Sequence, residues 1–197
     1  RASRGPDTFT FAVAGTITLQ SDLRINFPFL TIDGGTAPAQ GVQIKGGMIM
    51  VAAPAHDIIF RHLKVRPGDM RNQSIPDERD AISLNGQGGR VYNVVIDHCT
   101  LIWGPDIGGL AVLAGVSDVT VQHSIIGEGL YLSTHPEAVV AQGGHSYALN
   151  ISQLSDSPNV WPRRITLYGN LLTSSDTRMP QVMGGEQVEI VNNVIYN

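Results

Sequence analysis

The stretch NVVIDHCTLI, from Asn93 to Ile102, decides the fold, because its shape recurs along the chain. An alternation of apolar and polar residues leads into a bend, and a second short apolar run follows. The same shape is found in DIIFRHLKV from Asp57, DVTVQHSII from Asp118, RITLYGNLL from Arg164 and VEIVNNVIY from Val188. Alternation with a period of two is typical of β-strands, and helical periodicity is nearly absent. The sequence therefore predicts an all-β protein.

Equivalent positions in the five segments predict that the segments stack on one another. The first anchor position is taken by Phe60, Ile96, Val121, Leu167 and Val191, and the second by Val65, Leu101, Ile126, Leu172 and Tyr196. Ile96 and Val121 are 25 residues apart, which suits one turn of a coil whose turns bury their apolar faces against each other. Asn-Gly hairpin signals are nearly missing, which argues against an antiparallel sandwich or barrel. We therefore predict a single-stranded parallel β-helix.

Composition narrows the classes of partner. The 197 residues carry a formal net charge of −4, and no cluster of Lys and Arg indicates a nucleic-acid surface. No apolar run approaches the roughly 20 residues that span a bilayer, so we expect no membrane segment. The N-terminal residues lack the apolar core of a signal peptide, and the repeat pattern breaks off at Asn197. We expect one domain, residues 1–197, from a chain truncated at one or both ends.

Three histidines occupy equivalent places in the repeat. We interpret His62, His98 and His123 as a ladder of stacked turn residues instead of a metal cage. Since adjacent residues of a strand point to opposite faces, the side chains of Asp97, His98 and Cys99 are not expected to converge on one atom. The sequence therefore predicts a structural role for this cluster.

Acidic residues precede two of the shorter strands. Glu78 and Asp80 come just before or at the start of DAISL, and Asp106 leads into LAVLAG. If these strands are neighbours in one sheet, a spacing of about 4.8 Å brings the acids onto adjacent rungs, where they repel unless a cation such as Ca²⁺ lies between them. Arg178 opens a further strand of this type and suits recognition of a uronate carboxylate. The alternatives are solvated surface acids and a structural salt bridge.

Several runs together resemble a known family. FTFAVAGTITL, LTIDGGTAPAQGVQIKG, IIFRHLKVRPGD, DAISLNG, VVIDHCTLIWGPD, VTVQHSIIGEGL, TRMPQV and VNNVIYN follow one another as they do in the pectate lyases, over nearly the whole chain. The resemblance implies a right-handed parallel β-helix that cleaves polygalacturonate, or a related acidic polysaccharide, by β-elimination with Ca²⁺ as cofactor. It also implies an enzyme that is secreted or periplasmic. We expect it to be a monomer.

The resemblance also implies roles for particular residues. Asp80 matches the family's calcium-binding acid at the start of its strand, and Glu78 matches another that some members have. Asp106 matches the acid before the next strand, and Arg178 matches the arginine assigned as the base. The resemblance thus predicts three metal ligands and one catalytic residue.

Three positions depart from the family's pattern. Leu110 stands where many members have a second calcium-binding acid, Gly127 or Glu128 where a lysine is expected, and Met183 where a second arginine is expected. We therefore expect calcium to bind weakly until substrate completes its coordination shell.

Substrate contacts are expected to come from loop residues instead. His135, His145 and Arg66 are the candidates. They lie in or beside long insertions that separate successive segments of the repeat, and residues in such loops more often contact ligands. Two other functions stay open. One is a β-helix that binds acidic polysaccharide without cleaving it, and the other is a hydrolase of the polygalacturonase kind, which needs one protonated and one ionised carboxyl group.

Overall fold

The computed structural model describes residues 6–69, 78–140, 144–153 and 160–197. Over these residues the chain winds into a coil with three short strands in most turns. In chain order the strands are β1 (Asp7–Thr10), β2 (Gly15–Thr18), β3 (Leu23–Ile25), β4 (Leu30–Asp33), β5 (Val42–Lys45), β6 (Ile49–Ala52), β7 (His56–Arg61), β8 (Leu63–Arg66), β9 (Ile82–Asn85) and β10 (Val91–Asp97).

The second half continues the pattern with β11 (Thr100–Ile102), β12 (Ile107–Val112), β13 (Val116–Gln122), β14 (Ile125–Gly127), β15 (Tyr147–Ser152), β16 (Arg163–Tyr168), β17 (Leu171–Thr173), β18 (Gln181–Met183), β19 (Glu186–Val191) and β20 (Val194–Tyr196). Helical structure in the described residues amounts to a 3₁₀ turn at Gly34–Thr36 and one short helix, α1 (Pro136–Val140). No helix there is long and apolar enough to cross a lipid bilayer.

The strands form three parallel sheets that run the length of the coil. Sheet A has the order β1-β4-β7-β10-β13-β16-β19, sheet B the order β2-β5-β8-β11-β14-β17-β20, and sheet C the order β18-β15-β12-β9-β6-β3. All the paired strands are parallel, and each pairs with the strand one turn earlier or later. The predicted parallel β-helix is confirmed, and the antiparallel sandwich or barrel is excluded.

The predicted anchor residues form continuous buried rows. Phe60, Ile96, Val121 and Leu167 are paired in successive strands of sheet A, and all are fully buried. Val65, Leu101, Ile126 and Leu172 form the corresponding row in sheet B. Each turn buries its apolar face only against its neighbours. The residues that recur in the sequence are therefore the same residues that form the core.

The last turn differs from the prediction by one residue. Ile190, not Val191, pairs with Leu167. Ile195, not Tyr196, pairs with Leu172 in the same way. A one-residue shift moves every side chain to the opposite face of a strand, so the sequence alignment placed the wrong residues inside. The error arose because consecutive apolar residues in this segment, unlike strict alternation, fit either register.

The bend between sheets A and B has the same backbone conformation in each turn. Residues with positive φ at this bend are His62 (54°), His98 (51°), His123 (49°), Gly169 (63°) and Asn192 (55°). Glycine and asparagine enter this region most readily, and histidine is also enriched there. The bend thus recurs because a residue that tolerates left-handed φ recurs at one position of the repeat.

A polar ladder lines the inner side of this bend. The Cys99 N–H donates to Ser124 Oγ at 3.0 Å, and the Ser124 N–H donates to Asn170 Oδ1 at 3.0 Å. The Asn170 N–H donates to Asn193 Oδ1 at 2.8 Å, so Asn193 continues the ladder into the last turn. Cys99 is a buried free cysteine within this ladder, as predicted for a rung.

Candidate metal and substrate site

The outer face of sheet C carries a cleft of about 290 Å³. One row of residues in register crosses its floor from turn to turn: Met50, Ser83, Ala111 and Asn150. Acidic residues stand where the chain enters β9 and β12, at one end of these strands. The cleft is therefore built by the stacking of turns that are distant along the chain.

Asp80 lies at the edge of this cleft and is almost completely buried. Its Oδ1 accepts a hydrogen bond from the Ile107 N–H at 3.1 Å, which links it to the next turn. Burial raises the pKa of Asp80 well above its ordinary range, and the charge of Asp106 raises the pKa further. Hydrogen bonds from Ile107 and Ser83 oppose this shift.

Asp106 faces the same cleft from the next turn. Its backbone N–H donates to the Arg79 carbonyl at 3.2 Å, and its Oδ1 is 3.0 Å from His145 Nε2. Burial raises the pKa of Asp106, while the hydrogen bond to His145 and the charges of His135, His145 and Arg178 oppose the rise. Asp80 and Asp106 are therefore two mutually repelling carboxylates, of which Asp106 has the His145 and Arg178 side chains nearby and Asp80 has the Ile107 N–H and Ser83.

Glycines allow the chain to close tightly behind Asp106. The pairing of β12 with β15 is irregular between Ile107 and Leu110. A Cβ on Gly108 would lie 2.5 Å from Gly129 Cα, and a Cβ on Gly109 would lie 2.7 Å from the Ala148 carbonyl oxygen. These contacts are too short for any side chain, so the two glycines permit the turn that presents Asp106 to the cleft.

Aromatic rings connect the acid to the predicted base. The rings of His135 and His145 stack with centroids 3.8 Å apart, and the Tyr147 ring lies 4.0 Å from that of His145. Arg178 Cζ lies 3.8 Å from the centroid of the Tyr147 ring. We call these four side chains the stacked column. It holds the guanidinium by a cation–π contact and so limits the positions that the guanidinium adopts.

The structure brings together most of the predicted site residues. Glu78, Asp80, Asp106 and Arg178 line one cleft, with Glu78 exposed at its edge. His135 and His145 adjoin the cleft through Asp106: His135 Nε2 is 3.8 Å and His145 Nε2 is 3.0 Å from Asp106 Oδ1.

Arg66 does not line this cleft. It borders a different groove, of about 470 Å³, which it shares with Lys64 and Gln43. There its Nη1 donates to Gln43 Oε1 at 3.1 Å, and its guanidinium lies 4.9 Å from the Trp103 ring centroid. Its role in binding substrate stays a prediction, because Arg66 does not share a cleft with Asp80 and Asp106.

The positions that depart from the family's pattern are explained in part by their surroundings. Leu110 is fully buried between Ile82 and Leu149, so its side chain belongs to the core. Ala111, the next residue, is the one that lines the cleft, and it has no ligand atom to offer. Glu128 Oε2 accepts a hydrogen bond from Trp103 Nε1 at 3.0 Å.

Sequence reasoning missed Asn150 and Tyr147. Asn150 is buried, lines the cleft, and its Oδ1 has no hydrogen-bond partner. A single amide within the apolar strand YALNIS was the available signal for this residue. The sequence carried no comparable signal for Tyr147, because stacking on Arg178 depends on the return path of the insertion.

The donors in the cleft fit a calcium ion. Ca²⁺ takes six to eight oxygen ligands from carboxylates, amide carbonyls and water. Asp80, Asp106 and Glu78 supply carboxylates, and the unpaired buried Oδ1 of Asn150 supplies an amide oxygen. An unpaired buried oxygen costs free energy that a bound cation would recover. The predicted calcium site thus has a fourth candidate ligand in place of the missing acid.

Comparison with known proteins identifies similar sequences. No family model matches the chain. Proteins named probable pectate lyase C from Aspergillus fumigatus and Aspergillus terreus are each 29% identical to it over 187 residues, and that of Neosartorya fischeri is 28% identical over 187 residues. These matches cover 95% of this chain and 37% of each relative, so the chain spans little more than a third of their length. The resemblance to pectate lyases is confirmed.

Proposed function

We propose that this chain forms the catalytic groove of a polysaccharide lyase that cleaves polygalacturonate, or a related acidic polysaccharide, by calcium-assisted β-elimination. The observation that carries the proposal is the pair of mutually repelling carboxylates of Asp80, which is buried, and Asp106, which is partly buried, in one cleft with the Arg178 guanidinium. Similarity to proteins named probable pectate lyase C supports it. An acidic protein and a polyanionic substrate repel each other unless cationic groups lie between them.

Asp80, Asp106, Glu78 and Asn150 are the residues that would hold Ca²⁺. When bound there, the ion would offset the carboxylate charges and withdraw electron density from the carboxylate of the sugar. His145 holds Asp106 by the 3.0 Å contact at its Oδ1, which restricts the rotation of this carboxylate. The floor residues Ser83 and Ala111 are small, which leaves room above them for a sugar ring.

Arg178 is the group that we assign to proton transfer. The proposed step needs Arg178 in its neutral form. A guanidine nitrogen accepts the C5 proton, the C5–H electron pair forms the C4–C5 double bond, the C4–O4 bond breaks, and the leaving oxygen takes a proton from water. Because proton abstraction requires the neutral form of the side chain, we expect the activity to rise toward alkaline pH. Tyr147 keeps the guanidinium in place over the cleft through the 3.8 Å contact.

Location and assembly follow from the proposed substrate. A polymer of uronic acids is too large to enter a cell, so the enzyme is proposed to act as a secreted or periplasmic protein. One cleft on sheet C supplies all the proposed ligands and the base, so a monomer suffices.

The test is an assay for the unsaturated product, whose conjugated double bond absorbs in the ultraviolet. We expect absorbance to increase on polygalacturonate with calcium and to stop when a chelator is added. Arg178→Lys should lower kcat by about 10²–10⁴-fold, the usual contribution of a general base, while retaining binding to polygalacturonate. Arg90→Lys, an exposed change outside the cleft, is the control.

Three outcomes would contradict the proposal. Reducing sugar without ultraviolet absorbance would indicate hydrolysis. Binding of polygalacturonate without turnover, under saturating calcium and in a chain of the relatives' full length, would indicate a binding protein. Full activity in Arg178→Gln, which has no basic group, would remove this residue from the mechanism.

A further inference from the structure

A second cluster of ligand atoms lies on the opposite part of the coil, at the bend between sheets A and B. The rings of His62, His98 and His123 form a ladder here, with centroid separations of 5.0 Å and 4.9 Å. Asp97 precedes His98, and its carboxylate lies near the rings of His98 and His123. None of these residues lines the acidic cleft.

Asp97, His98 and His123 converge, contrary to the sequence-based expectation. Asp97 Oδ1 is 2.7 Å from His98 Nδ1 and 3.7 Å from His123 Nδ1, and the three ligand atoms all lie within 4.8 Å of one another. Adjacent residues diverge only on a regular strand. At φ 51° His98 leaves the strand geometry, so its ring turns back toward Asp97.

We propose that Asp97, His98 and His123 bind a divalent first-row transition-metal ion such as Zn²⁺. Metal–ligand bonds of 2.0–2.1 Å in a tetrahedral site place ligand atoms about 3.3 Å apart. The observed separations of 2.7 Å and 3.7 Å fall on either side of this value. The Asp97–His98 and Asp97–His123 pairs therefore each need a change of less than about 1 Å, and the two histidine nitrogens already lie within 4.8 Å of each other.

The surroundings suit such an ion. The His98 and His123 side chains are 50% and 43% exposed, so both rings can adjust and water can complete the coordination. Gln122 Nε2 donates to Asp97 Oδ1 at 3.1 Å and orients the carboxylate from the neighbouring turn. Two imidazoles and one carboxylate favour zinc, cobalt, nickel or copper over calcium, which prefers oxygen ligands.

The other histidine cluster is a poorer candidate. The rings of His135 and His145 are nearly parallel, at 16° and 3.8 Å, so one ion cannot lie in the plane of both. His135 Nδ1 also accepts the Glu137 N–H at 3.1 Å, which leaves the proton of the neutral ring on Nε2, the atom that faces Asp106. These contacts indicate hydrogen bonding to Asp106 instead of a shared metal.

The repeat offers a matched control. His62 has the same bend, with φ 54°, and stacks on His98, yet Arg61 occupies the position equivalent to Asp97. His62→Asn and His98→Asn make the same chemical change at equivalent positions, and asparagine tolerates the left-handed backbone. Only the second change removes a proposed ligand.

The experiment is a titration of the full chain with Zn²⁺, followed by calorimetry, and with Co²⁺, followed by visible absorption. We expect one ion per chain, retained in excess Ca²⁺, with the binding constant lowered at least about tenfold in His98→Asn and in His123→Asn. His62→Asn should bind as the unaltered protein does, and circular dichroism checks that each variant is folded.

Three results would overturn the proposal. They are the absence of zinc binding by the unaltered protein, binding that is unchanged in His98→Asn, and equal losses in His62→Asn and His98→Asn. Loss of the ion in His145→Gln with retention in His98→Asn would assign it to the acidic cleft instead.

Discussion

At Arg178 and Asp106, single side chains are held by contacts that come from a distant part of the chain. Asp106 Oδ1 lies 3.0 Å from His145 Nε2, and Arg178 Cζ lies 3.8 Å from the centroid of the Tyr147 ring. His145 and Tyr147 are themselves 4.0 Å apart. Asp106 and Arg178 are therefore held by two neighbouring rings, those of His145 and Tyr147. We expect a change in the Tyr147 ring to lower the proposed activity without removing a group that is proposed to contact substrate.

Tyr147 provides the test of this support. We expect Tyr147→Leu to lower kcat roughly tenfold to hundredfold with little change in KM, because a small displacement of a reacting group is costly. Tyr147→Phe should retain most of the activity, since it keeps the ring face that the guanidinium contacts. Steady-state kinetics on polygalacturonate measures both variants. Equal losses in both would show that the hydroxyl, and not the ring face, matters.

At the scale of single elements, the bend between sheets A and B is stabilised by side chains that substitute for backbone partners. Asn170 is buried; its Oδ1 accepts from the Ser124 N–H at 3.0 Å and its Nδ2 donates to the Val121 carbonyl at 2.9 Å. Nδ2 also donates to Asn193 Oδ1 at 3.0 Å. One amide thus links three successive turns.

Removing this amide should destabilise the coil. We expect Asn170→Ala to lower the free energy of unfolding by about 2–4 kcal/mol, because the Ser124 N–H and the Val121 carbonyl would be left buried without partners. Urea denaturation measures the change, with an unchanged m-value as the sign that the same surface unfolds. Asn192→Gly, at an exposed left-handed position, is the control. A loss in Asn170→Ala no larger than in the control would count against the ladder.

At the scale of the whole molecule, we expect the acid pair to couple stability to pH and, through the proposed site, to calcium. Burial raises the pKa values of Asp80 and Asp106 above the ordinary value of 3.8. A raised folded-state pKa means that the stability from these groups is fully present below about pH 4 and is lost as pH rises through the folded-state values. Without calcium, the pair therefore opposes folding at neutral pH.

Other acids act in the opposite direction but in a different range. A hydrogen bond from His56 lowers the pKa of Asp57, and one from Arg164 lowers the pKa of Asp118. Their stabilising contributions are present above about pH 4 and are lost as pH falls through the folded-state values. Above about pH 5 the contribution of Asp118 is constant, because its partner Arg164 stays charged, so this ion pair does not obscure the acid pair.

We expect the melting temperature of the calcium-free protein to rise in Asp80→Asn at pH 8 and to rise much less at pH 5. Calcium should raise the melting temperature of the unaltered protein at pH 8, by an amount equivalent to about 2.7 kcal/mol at a concentration 100 times its Kd. The same calcium should have little effect on Asp80→Asn. Thermal denaturation at both pH values measures this, with exposed Glu189→Gln as the control. A difference between the variants that does not depend on pH would contradict the assignment.

The sequence by itself determined the coil, because a parallel β-helix is nearly one-dimensional. Each turn contacts only its neighbours. Residues at equivalent positions of the repeat, such as Ile96 and Val121, can therefore be predicted from the sequence to stack on one another. The same logic placed Asp80 and Asp106 beside one another, since each lies just before a strand of sheet C. Local alternation and a regular spacing were sufficient for these features.

Only the tertiary structure decided the rest. The register of the last turn depended on which of two adjacent apolar residues pairs with Leu167, and in the structure this residue is Ile190. The convergence of Asp97 with His98 depended on the sign of φ at the bend, which alternation along a strand does not encode. The contact of Tyr147 with Arg178 depended on where a long insertion returns to the coil. In each case the outcome depends on contacts between residues that have no regular spacing in the sequence.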